Sequence, residues 1–280
     1  MEAFVMDDNI SILRNGISRQ MIGVGTYKAS AEGCMEEIIH TAWKLGYRGI
    51  DTAEHYGNES EIGEALRTCN YKREELFLTT KIWNEDHGYE KAIKAFERSE
   101  QRLGTTIDLL LIHWPCPMNG LYEETWKALQ DLYAEKRVKA IGVSNFKIHH
   151  LEKLKKLGGE IPMVNQIEMH PFFIDWEMLD YCRKNDICVE AWSPLLRGAE
   201  IFHNPVIEAV ASHYDRTPVQ ITLRYLTGLG ARVLVKASNP DHARQNLDIF
   251  DFQLTKEDLE LMMTLNTGRR YYQDPDEYYL

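Results

Sequence analysis

Apolar residues in this chain fall in short blocks, each followed by a longer stretch of mixed character. Leu76-Phe77-Leu78 and Leu109-Leu110-Leu111-Ile112 are too short for helices. They are also too continuous for a sheet wetted on one face, which marks parallel strands covered on both sides. Eight such runs can be read, over residues 21–25, 47–51, 76–81, 107–113, 138–144, 163–168, 188–192 and 233–236. The intervening stretches carry apolar residues at helical spacing. Tyr122, Trp126, Leu129 and Tyr133 share one face, and Ile38, Ala42 and Leu45 another. Start signals match this phasing: Asn58 with Glu61 resembles a capping box, Thr217-Pro218 an N-cap and first helical residue, and Thr255 with Asp258 a late start. Gly46 and Gly158-Gly159 fit helix stops. Ahead of the alternation, residues 8–20 read as a β-hairpin whose Asn15-Gly16 favours a type I′ turn.

Eight strand–helix units without a linker, repeat or low-complexity tract predict an α/β chain folded as one (β/α)8 TIM barrel over residues 1–280. A doubly wound sheet is the alternative. Notable polar residues stand at the strands' C-terminal ends: Asp51, Lys81, His113, Ser144-Asn145, Gln166, Trp192-Ser193 and Lys236. Right-handed crossovers bring all these ends to one rim, where barrels carry their chemistry. Asp108, near its strand's start, reads as structural, bonding backbone at the barrel's bottom.

Composition narrows the function. With 32 basic and 43 acidic residues the net charge is −11, which weighs against nucleic acid and anionic membrane as partners. A local cationic pocket stays compatible with that balance. The five cysteines, Cys34, Cys69, Cys116, Cys182 and Cys188, are widely spaced without a Cys-x-x-Cys, so neither a disulfide framework nor a zinc knuckle is expected. No apolar run approaches the ~18 residues of a membrane span. The first residues also lack the basic start and apolar segment of a secretion signal. A cytoplasmic protein is the expectation.

Four rim residues suggest a reaction. Reducing a carbonyl by hydride needs a group that protonates the developing alkoxide. A phenol holds its proton to about pH 10, too tightly unless a nearby ammonium stabilises the phenolate. Tyr56 in a Gly/Asn-rich turn supplies the phenol, Lys81 the ammonium, and Asp51 a carboxylate to hold Lys81 charged and aimed. His113 can hydrogen-bond the carbonyl oxygen and polarise it. No metal is called for. Singly, each has an ordinary structural explanation: a loop cap, a surface charge, a satisfied histidine. Four matched groups at the ends of three consecutive strands favour the catalytic one.

The motifs Asp51-Thr-Ala with Tyr56-Gly-Asn-Glu, Thr80-Lys81-Ile-Trp, Leu111-Ile-His113-Trp-Pro, Gly142-Val-Ser-Asn-Phe146, Asn165-Gln166-Ile and Ser193-Pro194-Leu195 run in one order along the whole chain. Together they resemble the aldo-keto reductase family, in particular its compact, bacterial-type members. The resemblance implies a barrel capped below by the hairpin, a nicotinamide cofactor, and the four roles just given. The presence of His113 points to carbonyl rather than steroid double-bond reduction. It further implies that Ser144, Asn145 and Gln166 bond the nicotinamide carboxamide, and that Trp192 stacks on the ring where many relatives have tyrosine. Backbone after Ser193, including Leu195, would approach the pyrophosphate. Lys236, Ser238, Asn239, His242, Gln245 and Asn246 would hold the adenosine phosphate, helped by N–H groups at the helix start. The family binds its dinucleotide without a Rossmann unit; Gly23-Val-Gly25 lacks the third glycine and reads as strand packing.

Two departures bear on the cofactor. Ala237 and His242 stand where the family usually has serine and arginine, so a planar, always-charged grip on the 2′-phosphate is missing. Lys236 and Arg244 are candidates to compensate, which leaves NADP(H) the first expectation with NAD(H) open. Leu196 replaces a usual glycine after Ser-Pro-Leu, which predicts another course for that loop. Tyr27, Trp83 and Trp114, with a short loop at 115–121 and an aromatic tail over 271–280, would line an open mouth for an apolar or aromatic small-molecule carbonyl. The expectation is a monomeric NAD(P)H-dependent reductase of aldehydes and ketones. A nicotinamide-binding redox sensor with little turnover is the second reading. A metal-dependent hydrolase is disfavoured, because no ligand cluster can be read.

Overall fold

The computed structural model describes residues 9–278 other than 32, 197 and 199. The antiparallel pair β1 (Ile10–Ile12) and β2 (Ser18–Gln20) comes first, with Ile10 opposite Gln20. Its turn departs from the expected type I′. Gly16 has a φ of 85°, but Asn15 is not left-handed. The Gly16 N–H donates to Leu13 O, and the Leu13 N–H to Ile17 O. This is a longer loop with glycine at its one left-handed position. The Asn15 amide instead bonds Lys139 O at 2.9 Å, tying the hairpin to the barrel.

Eight parallel strands follow: β3 (Ile22–Gly25), β4 (Gly49–Asp51), β5 (Phe77–Ile82), β6 (Ile107–Ile112), β7 (Val138–Ser144), β8 (Val164–Glu168), β9 (Cys188–Trp192) and β10 (Arg232–Val235). They close in sequence order, with β10 pairing both β9 and β3, so the open doubly wound sheet is excluded. Predicted and observed strands differ by at most two residues at their ends, and β7 and β9 coincide with the prediction. Around the barrel lie α1 (Met35–Leu45), α2 (Glu59–Thr68), α3 (Tyr89–Leu103), α4 (Tyr122–Ala134), α5 (Ile148–Leu157), α6 (Trp176–Lys184), α7 (Pro205–Tyr214), α8 (Pro218–Gly228), α9 (Pro240–Leu247) and α10 (Lys256–Met263). Thr217 and Thr255 cap α8 and α10 as expected, and Gly46 and Gly158 end α1 and α5.

The strands' alternation sorts two cores. Leu110 and Ile112 face outward, packing with helix residues such as Phe96, Trp126 and Leu129. Leu109 and Leu111 face inward with Phe77, Ala140 and Val164, and Leu13 of the hairpin plugs this inner cluster from below. Asp108 is structural, as expected: it accepts the Leu78 N–H at 2.7 Å and pairs with Arg73 and Lys139. Gly23 and Gly49 leave room for a guanidinium, since a Cβ at either would collide with Arg232 inside the barrel. Among the described residues no helix is long and apolar enough to cross a membrane.

Candidate active site

Strand register delivers the tetrad. Asp51 pairs with Thr79, two residues before Lys81 on the same face of β5, so both side chains enter the barrel side by side. The Lys81 ammonium donates to Asp51 Oδ1 at 2.6 Å and Thr52 O at 2.8 Å, and lies 3.3 Å from Tyr56 Oη. Three partners match its three N–H groups. Tyr56 ends a short 3₁₀ turn over Glu54–Tyr56 that Gly57 closes at a φ of 68°. Asn58 does not cap α2 through its side chain, contrary to the capping-box expectation. It accepts from Thr52 Oγ1 at 2.9 Å and donates to Thr26 O at 2.8 Å. The buried amide therefore stitches together the loops that hold Tyr56.

Burial dominates the electrostatics. It pushes the Tyr56 phenol above its ordinary value, with Lys81 pulling the other way. The lysine acts in the expected direction but does not prevail, so Tyr56 holds its proton at neutral pH. Burial pulls Lys81 down; Asp51 and Tyr56 outweigh it and keep the ammonium above its usual range. Burial raises the Asp51 carboxyl against the pull of Lys81. His113 is driven well below the usual histidine range by burial and then by Lys81, leaving it neutral. Its ring meets Tyr56 edge-on at 5.7 Å and Trp83 at 5.0 Å.

The expected mouth residues assemble around this centre. Tyr27 lies 5.0 Å from the Tyr56 ring, and Trp83 stacks on His55 at 3.6 Å. Trp114 is only 7% exposed because Tyr278 packs on it at 4.3 Å, so the mouth is more covered than a short loop suggested. The tail reaches there because Lys147 pairs with Asp274 and Asp276 and the Tyr271 N–H bonds Glu168.

Ser144, Asn145, Gln166 and Trp192 also converge. Asn145 donates to His113 O at 3.0 Å and Ser144 Oγ at 3.1 Å, and accepts the Trp192 indole N–H at 2.9 Å. Ser144 donates to Gln166 O. The result is a flat indole, fixed in plane, beside amide and hydroxyl groups, which fits a nicotinamide. Ser193 bonds Tyr272, whose ring packs edge-on against Trp192 at 4.8 Å; the sequence placed the aromatic tail at the mouth without singling out Tyr272 or this contact. Leu195 packs on the outer core, and Leu196 takes a φ of 46°, the left-handed conformation that a glycine would adopt freely.

The phosphate-end residues gather apart, on α9 and the turn before it. Lys236 is exposed and Ser238 half-buried. Asn239 accepts the N–H groups of Asp241 and His242, so those donors are already engaged. His242 and Gln245 are exposed, whereas Asn246 is buried. Arg244, a candidate to compensate for the missing arginine, lies 3.4 Å from Asp241. The fit is therefore good at the nicotinamide end and weaker at the phosphate end. Sequence reasoning also missed Glu190 and Arg232, buried inside the barrel. An acid between Val189 and Ala191 in an apolar strand was the available signal.

A closed barrel with a Tyr–Lys–Asp–His cluster at its rim is an arrangement suited to a carbonyl oxidoreductase. The Aldo/keto reductase family model matches residues 21–200 and 202–267, and the chain belongs to that family. Its chemistry, nicotinamide-dependent reduction of aldehydes and ketones, is therefore this protein's. The chain is 41% identical over 266 residues to glyoxal reductase of Bacillus subtilis, covering 95% of each. It is 39% identical to methylglyoxal reductase DkgA of Escherichia coli, covering 95% of this chain and 96% of the relative. A crystal structure of a mutant Gox0644 in complex with NADPH superposes with a TM-score of 0.90 at 37% identity, covering 96% and 98% of the two chains. Nothing in these likenesses supports the redox-sensor reading.

Proposed function

We propose that the protein reduces small aldehydes and ketones with NADP(H), Tyr56 being the proton donor. The observation that carries this reading is the 3.3 Å approach of Tyr56 Oη to a Lys81 that Asp51 holds charged. When bound, the dinucleotide supplies the hydride that reduces the carbonyl carbon. Tyr56 holds the proton destined for the carbonyl oxygen, and Lys81 steadies the phenolate left behind. Neutral His113 donates an N–H to the same oxygen and orients it. Tyr27, Trp83 and Trp114 pack on the substrate and keep water from the reacting atoms. Ser144, Asn145, Gln166 and Trp192 hold the nicotinamide, and Ser193 and Leu195 line the pyrophosphate. Lys236, Ser238, Asn239, His242, Gln245 and Asn246 receive the adenosine phosphate.

NADP(H) is supported by the NADPH-bound neighbour, and NAD(H) is a second cofactor because His242 grips a 2′-phosphate weakly. The names of the two relatives support short α-dicarbonyl compounds as substrates. On this reading the protein works as a cytoplasmic monomer, one barrel domain over residues 1–280, without nucleic-acid or membrane partners. Tyr56→Phe is expected to lower kcat for methylglyoxal by at least about 100-fold, the scale of a lost general acid, with NADPH affinity unchanged. Turnover near the wild-type rate in that variant would remove Tyr56 from the role.

A further inference from the structure

The Lys81–Asp51 pair is the upper end of a longer buried array. Asp51 Oδ2 accepts from Gln166 Nε2 at 2.8 Å, and the same nitrogen donates to Glu190 Oε2 at 2.8 Å. Glu190 Oε1 in turn receives Arg19 and lies 3.3 Å from Arg232 Nη1. The five ionisable side chains are at most 4% exposed. They come from β2, β4, β5, β9 and β10, so the array exists only in the closed, hairpin-plugged barrel.

Stability is a poor reason for it. Burying charges costs several kcal/mol each, and well-packed apolar side chains commonly serve as well. Arg19 is not even satisfied: its Nε and Nη2 have no acceptor, and its guanidinium lies 5.3 Å from the centre of the Phe77 ring. What the array does supply is charge. Arg19, Arg232 and Lys81 are three cations against Asp51 and Glu190, leaving one net positive charge in the array, whose upper end, Lys81, touches the phenol. Loss of the Tyr56 proton brings the sum to zero. Among the described residues that face Tyr56, His113 is neutral, burial lowers His55 as well, and Tyr27 is a phenol with the Lys28 ammonium 5.3 Å from its ring centre, a charge common to every variant compared. His87 reaches the site through His113 and is likewise held neutral by burial.

We propose that Glu190 is a positioning residue for Tyr56, acting through Gln166 and Asp51 to set how strongly the buried array draws the proton from the phenol. Arg19 and Arg232 anchor it and supply the opposing charge. The assignment rests on Tyr56 being the proton donor.

The test is a pH titration of Tyr56, read as tyrosinate absorbance of each protein minus its Tyr56→Phe counterpart, alongside the alkaline fall of kcat for methylglyoxal reduction. Glu190→Gln leaves two net positive charges in the array that ends on the neutral phenol, so the Tyr56 titration moves to lower pH, by up to about one unit. Arg19→Met leaves none and moves it up by a similar amount. The double variant restores the balance and returns the titration toward wild type, and Arg19→Lys leaves it in place. Shifts of opposite sign are not what loosened packing produces, because a merely structural lesion moves both single variants the same way. Unmoved titrations in either folded single variant, or shifts of one sign in both, would overturn the proposal. Where Glu190→Gln does not fold, Arg19→Met against Arg19→Lys decides it alone. The absorbance titration needs no turnover. Failure of the reductase reading would show as absent kcat with the shifts intact, whereas failure of this inference would show as absent shifts with kcat intact.

Discussion

At position 242 an imidazole sits exposed on the first turn of α9, its N–H already bonded to Asn239. An arginine there would present a planar fork of fixed charge to a phosphate, which a histidine cannot match. Its neighbour Asp241 adds a carboxylate to the same turn and engages Arg244, so that guanidinium is drawn away from the proposed anion. His242→Arg is therefore expected to raise the preference for NADPH over NADH about tenfold, the worth of one charge-assisted hydrogen bond. Fluorescence titration with both dinucleotides measures it, and an unchanged ratio would show that position 242 does not discriminate between them. Residues of this kind were legible in the sequence because their identity alone departs from a pattern. Asn58 was not, because whether its amide caps a helix or joins Thr52 to Thr26 depends on which loops fold against it.

Strands were the most legible elements, for a physical reason: burial on both faces leaves them mostly apolar. Two of the polar residues within them, Glu190 in β9 and Arg232 in β10, show what local pattern misses. Their partners come from elements far apart in the chain, so no spacing announces the pairing. The tail over 271–280 was expected at the mouth for its aromatic composition, but which ring packs there was not legible: it is Tyr278, laid on Trp114 from the opposite end of the sequence. Close strand contact sets a further constraint at Gly142 in β7. A Cβ there would stand 2.6 Å from the Val164 carbonyl oxygen of β8 and 2.8 Å from a Leu111 methyl. A backbone oxygen held in a barrel ladder yields little, so Gly142→Ala is expected to cost about 1–3 kcal/mol of stability, typical of overpacking. Urea unfolding tests this, and a midpoint equal to wild type would mean that β7 and β8 separate without penalty.

The whole barrel stores a pH dependence of its own. His87 and His150 are 2% and 0% exposed, and burial pushes each down to about 4. For His87 burial prevails over the pull of Asn119 and Asp86. For His150, whose Nδ1 accepts the Lys147 N–H, it prevails over Asp276. In the unfolded chain both take up protons near the ordinary value of 6.5. Between those two values the unfolded state binds more protons, so acid favours it. The contribution is fully present above pH 6.5, falls as the pH drops, and is gone below about 4. A shift of that size is worth up to about 3 kcal/mol for each histidine. Together that is a large share of the 5–15 kcal/mol by which domains are commonly stable. The urea midpoint should thus decline steadily from about pH 7 to about pH 4, and His87→Gln should flatten the slope by removing one of the two titrations. An equal slope in that variant would show that His87 takes up its proton at the same pH in both states, and that the acid sensitivity belongs to other groups.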